Sequence, residues 1–136
     1  MIDLEPVIVA RVQEALGNKW RCAGEITSTG QRDTVPRAAV RFVGAQIGNM
    51  TEGAVAVGPI WAVTLVVRRG TGADVAISDA FRDLLQAMHG WAPTDTPGFI
   101  GCTFRATGSV PVTFGDDGLY GLEVAFSISG DFEGVN

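Results

Sequence analysis

Lysine is nearly missing from this chain: Lys19 is the sole one among ten basic residues in 136. Histidine and tyrosine each occur once and cysteine twice. Charged residues make up 18%, against about 25% in an ordinary soluble domain. Two thiols and one imidazole cannot form a metal site without carboxylate partners, and no spacing marks any. Cys22 and Cys102 are too few for a disulfide framework; reduced thiols packed as small apolar residues are the expected state, although two cysteines do permit one bridge. Ten basic against fifteen acidic residues leave −5, which argues against nucleic-acid binding, since phosphate contacts need a cationic surface. The first sixteen residues carry Asp3, Glu5 and Glu14 and lack the cationic start and apolar stretch of a signal peptide. The longest apolar run, residues 60–67, contains Thr64 and is far too short to span a membrane. A cytoplasmic protein without membrane contact is expected.

What is present suits one folded domain over residues 1–136. Hydrophobic residues reach 46%, enough to offset the entropy of ordering. Glycine, at 18 residues, is about twice its usual share. Nine arginines to one lysine has two readings. One is GC-rich coding, which raises Arg, Ala, Gly and Val together. The other is an oligomeric surface, where arginine is enriched and lysine depleted.

Residues 3–16 predict a helix: Leu4, Ile8, Val12, Ala15 and Leu16 recur at spacings of three and four. Asp3 can cap it, Pro6 fits the first turn, and Gly17 with Asn18 ends it. Glu5, Arg11, Gln13 and Glu14 are assigned to its wet face. Trp20 and Cys22 suggest a short strand, followed by an exposed loop over 24–36. Residues 37–47 read as extended, and the glycine-rich 44–58 as a long loop holding Asn49, Met50, Thr51 and Glu52.

Residues 60–69 form the strongest strand pattern. Trp61, Val63, Leu65 and Val67 take one face, while Ile60, Ala62 and Val66 make the other apolar too. Such a strand is covered on both sides, or is used in an interface on one of them. Residues 73–89 predict a second helix from Ile77, Phe81, Leu84, Leu85 and Met88, with Thr71 and Asp74 at capping-box spacing and Gly90 as the stop. Alternation over 99–107, then Val110, Val112 and Phe114, and an Asp116-Asp117-Gly118 turn into 119–129, predict an antiparallel hairpin. The fold class is α+β: a single-domain antiparallel sheet with two helices on one face.

No catalytic, cofactor or metal residue emerges. His89 sits at a helix end, where capping or packing is its expected role. Gly70-Thr71-Gly72 joins a strand to a helix, but Val75 stands where a dinucleotide fingerprint has its third glycine. Asp74 also places negative charge where a phosphate would sit. A ligand cleft beside Gly70 and Asp74 is the alternative reading. Asp116 and Asp117 are turn formers, and Asn49-Met50-Thr51 is a glycosylation sequon without meaning in a cytoplasm.

The order of elements in residues 2–16, 36–43, 58–67 and 77–88 resembles the bacteriophage tail terminator family of long-tailed, lambda-like and Mu-like phages. The resemblance implies a non-enzymatic hexameric ring of copies of this chain, seated at the neck of the virion and assembled in the host cytoplasm. Its partners would be the tail tube protein and a head–tail connector or neck protein. Six copies at −5 give −30 per ring, a lumen through which DNA passes without specific binding. Arg37, Arg41, Arg68, Arg69 and Asn49, Met50, Thr51 and Glu52 are the expected interface residues.

Overall fold

In the computed structural model, residues 4–26, 35–51, 54–93, 103–112, 114 and 118–129 are described. Two helices and five strands follow in the order α1 (Glu5–Leu16), β1 (Arg21–Gly24), β2 (Arg37–Thr51), β3 (Ala54–Arg68), α2 (Ala73–Met88), β4 (Thr103–Val112) and β5 (Leu119–Ser129). They form one mixed sheet, ordered β1-β2-β3-β5-β4, beneath two helices. The class is α+β, as the element pattern predicts.

The sheet is antiparallel except at one edge, where β1 runs parallel to β2 with Arg21 opposite Arg37 and Cys22 opposite Ala38. A parallel neighbour requires the chain to cross back to the starting end, and the twelve residues 25–36 are long enough to do so. That segment, expected only as a loop, is therefore a crossover connection; residues 27–34 lie outside the described part.

A second correction concerns residues 44–58. Residues 44–51 and 54–58 are the distal halves of β2 and β3, paired from Ala45 opposite Pro59 out to Thr51 opposite Ala54. Glycine and Asn-Met-Thr imitate a loop locally, but the antiparallel ladder continues through a bulge at Val43, where Gly44 takes φ 155°. β5 pairs with β3 only between Ile60 and Arg68. Beyond Ile60 the two strands run on as a ribbon, residues 45–51 of β2 against 54–59 of β3, roughly 20 Å long.

The core lies between helices and sheet. Ala38, Val40, Trp61, Val63, Leu65, Val124 and Phe126 share one sheet face by register. Leu4, Ile8 and Val12 of α1 and Ile77, Ala80, Leu84 and Met88 of α2 close over them. α2 ends as its sequence predicts, with Gly90 at φ 83°. Its start differs. The N-cap is Gly72, left-handed at φ 86°, without a side-chain cap, so the Thr71/Asp74 capping box does not form. Gly70 at φ 153° and Gly72 turn the backbone so sharply that the turn is made by glycine alone. The N-cap of α1 is Leu4, also without a side-chain cap, and Asp3 is outside the described residues.

Three residues assigned to the wet face of α1 are engaged instead. Arg11 donates through Nε and Nη2 to the Ala87 carbonyl, at 3.1 and 2.9 Å, in the last turn of α2. Its guanidinium also lies 5.3 Å from the centroid of Trp91. Gln13 donates Nε2 to the Gly17 and Trp20 carbonyls and accepts from the Cys22 N–H, so it holds β1 against α1. Glu5 is fully buried, and its Oε2 accepts from the Ile26 N–H at 3.3 Å.

Candidate functional site

Alternation places every second residue of the sheet on the side away from the helices. On β2 these are Arg37, Ala39 and Arg41; on β3, Ile60, Ala62, Thr64, Val66 and Arg68. On β5 the partners are Gly121, Glu123 and Ala125, and on β4 Arg105 stands opposite Ser127. No helix covers this face among the described residues. Three of the expected interface arginines, Arg37, Arg41 and Arg68, are thereby brought to one surface.

A polar brace crosses its centre. Arg41 Nη2 meets Glu123 Oε1 at 2.7 Å, spanning β3, and Thr64 Oγ1 donates to Glu123 Oε2 at 3.2 Å. Arg37 stacks 6.0 Å from the centroid of Phe114. The Phe114 ring in turn occupies the space over Gly121 that any Cβ there would need. Ala62 and Val66 are buried between these groups. The centre of this face is thus covered by its own side chains, with the arginines set around it.

The remaining expected contacts lie elsewhere. Arg69 follows β3 and donates Nε to the Leu119 carbonyl at 3.2 Å, joining strand ends. Asn49, Met50 and Thr51 lie near the tip of the ribbon, with Met50 opposite Val55, and Glu52 is outside the described residues. Two residues of the helix-free face escape a reading of sequence alone: Arg21 and Arg105. Strand parity with inward-facing Cys22 and Phe104 is the signal that could have found them.

The alternative site is present as an open groove of about 590 Å³, lined by Arg69, Gly70, Ala73, Asp74, Ile77, Ser78 and Tyr120. Asp74 stands at the first turn of α2 and sets its charge against an anion there. His89 accepts the Ala106 N–H at Nδ1, 3.1 Å, tying the end of α2 to β4. Asp116, Asp117 and Cys102 are outside the described residues. Among those described, no group of histidine, cysteine and carboxylate residues could hold a metal ion. Among the described residues, no helix is long and apolar enough to cross a membrane.

Cys22 is a free thiol packed against the core edge. Burial pushes its pKa up to about 11, which keeps it protonated at neutral pH. Iodoacetamide at pH 8 should therefore modify native Cys22 at least about tenfold more slowly than the urea-unfolded chain. Equal rates would show that the thiol is open to solvent. A thiol raised in this way adds stability that is complete below its unfolded value and lost as pH climbs towards 11.

No family model matches the chain, and no curated protein matches it by sequence. Among solved structures it is similar to a chain from the "virion of native gene transfer agent (GTA) particle", with a TM-score of 0.65 at 8% identity. The alignment covers 96% of this chain and 95% of the other. Identity that low speaks for a shared fold alone.

Proposed function

We propose that this protein is a structural component of a phage-like particle, and within that class a tail terminator. In this reading, copies of the chain form a hexameric ring on the last ring of the tail tube. One side of the ring takes the place of a tube subunit and the other refuses further tube rings, so growth stops. That outer side receives the head–tail connector, and DNA passes through the lumen without being held. The observation that carries the reading is the end-to-end match, over 95% or more of both chains, to a chain within a virion. Two features support it: a helix-free sheet face carrying Arg37, Arg41 and Arg68, and a projecting ribbon that ends near Asn49, Met50 and Thr51. Both suit contacts between subunits better than a reaction centre.

Light scattering with negative-stain microscopy, on the chain alone and with tail tubes, tests this. Rings of six copies that cap tubes and halt their elongation are expected; monomers alone under both conditions would overturn it. A second reading, a small ligand-binding domain, is favoured only by the groove beside Gly70 and Asp74. It would gain from a ligand-dependent rise in melting temperature that Ser78→Trp, which fills the groove, removes.

A further inference from the structure

The chain's net −5 conceals a division of charge between its two sides. Among the described residues, the helix-free face carries Arg21, Arg37, Arg41, Arg68 and Arg105 against Glu123 and, just past the end of β1 on the parity of Arg21, the exposed Glu25. The helical side inverts this. Glu14, Asp74 and Asp79 are exposed there and Asp83 is half-buried, while Arg82 is tied to Asp79 at 2.9 Å and Arg11 to the Ala87 carbonyl. Apolar groups accompany the charge on both sides: Val110, 58% exposed on β4, stands opposite Glu123, and Val75, 59% exposed, lies beside Asp74 and Asp79 on α2.

From this geometry we infer that the helix-free sheet face of one copy receives the outer side of α2 from a second copy. This inference rests on the ring reading above and assigns its subunit contact. Ala39 and Ala125 are small, half-buried positions among the arginines, where a helix can approach the face. Arginine suits the role because its fork pairs carboxylates in two bonds and is weakly hydrated. The face spans four strand spacings, about 20 Å, and about 30 Å along the strands, roughly 600 Å². A standard interface takes about 800 Å² per partner, so the face supplies most of one side. The two surfaces lie on opposite sides of the subunit, so the contact is head-to-tail, the kind that makes a ring when the rotation from copy to copy closes.

A nucleic-acid strand is the weaker occupant. Arg41 is already spent on Glu123, Arg37 lies on Phe114, and the overall negative charge repels a polyanion before it arrives.

A charge exchange tests the pairing. Arg21→Glu with Arg105→Glu reverses two exposed sheet positions, and Asp74→Arg with Asp79→Arg reverses two helix positions. Each double variant alone should keep its circular dichroism and need an about tenfold or higher concentration to assemble. Mixed in equal amounts, the two should assemble again with copies alternating, since every contact then joins opposite charges. Wild-type assembly should also weaken as salt rises. Variants that assemble like the wild type, or a mixture that stays dissociated, would overturn the assignment while leaving the ring intact. So would a short DNA duplex that binds the wild type and is lost in the arginine variant while assembly persists. A wild type that is monomeric alone and on tubes removes the ring and this contact together.

Discussion

Trp61→Ala should destabilise the fold by about 3–5 kcal/mol, a large part of the roughly 5–15 kcal/mol available to a domain of this size. Trp61 has no exposed surface and sits at the centre of the helix-covered face, on the middle strand of the sheet. Its ring lies 5.2 Å from that of Phe42, tilted by 58°, and its register partner on β5 is Phe126. Removing the indole opens a cavity that strands held in a ladder on both sides cannot close. Trp61→Phe should cost much less, about 1–2 kcal/mol. It keeps an aromatic ring and deletes a buried Nε1–H that has no hydrogen-bond partner among the described residues. Urea midpoints at unchanged slope would measure both. An alanine variant within 1 kcal/mol of wild type would mean the sheet re-packs around the site, contrary to this account.

The elements that local pattern announces are those whose burial follows a short period. Ile77, Ala80, Leu84 and Met88 turn inward on α2, and Leu122, Val124, Phe126 and Ile128 alternate inward on β5. What pattern could not reveal depends on partners distant in sequence. The ribbon exists because Ala45 meets Pro59 and Ile47 meets Val57, a pairing that composition within 44–58 does not encode. β1 is parallel because of where the crossover lands. Arg11 and Gln13 look like solvent-facing residues on a helical wheel, yet their length lets them reach carbonyls on neighbouring elements. For the candidate site, the alternation of Arg37 and Arg41 on β2 was readable. Their union with Arg21, Arg68 and Arg105 depended on strand order and on which strands pair.

That union alters what the net charge means. Summed over the chain, −5 suggests a surface that repels DNA everywhere. Resolved by face among the described residues, Arg21, Arg37, Arg41, Arg68 and Arg105 gather on one side of the sheet, while Glu14, Asp74, Asp79 and Asp83 lie on the helices. If copies meet through those two sides, the sheet arginines and the α2 carboxylates are consumed together, and the chain's net negative balance falls to the surfaces outside the contact. The expected DNA-repelling lumen would then be a consequence of assembly rather than a property of the free subunit.

Gly24→Ala should cost about 1–3 kcal/mol although it adds a single methyl group. The position lies at the end of β1, opposite Val40, and its missing Cβ is the space filled by the side chain of Glu5. Glu5 cannot simply withdraw, because it is fully buried and accepts the Ile26 N–H. Any retreat would leave a carboxylate inside the protein with fewer donors, which is costly. The two residues should therefore be energetically coupled. Glu5→Ala alone loses the hydrogen bond and leaves a cavity, and Gly24→Ala alone drives a methyl group into the carboxylate. Together, the added methyl partly fills the space the deleted side chain vacates. The double variant should be more stable than the sum of the two losses by about 1–2 kcal/mol, within the range seen for contacting residues. Thermal or urea unfolding of the four proteins of this cycle measures the coupling directly. Strict additivity would mean that Glu5 can vacate the site without cost, and that the close approach of α1 to β1 does not depend on glycine at position 24.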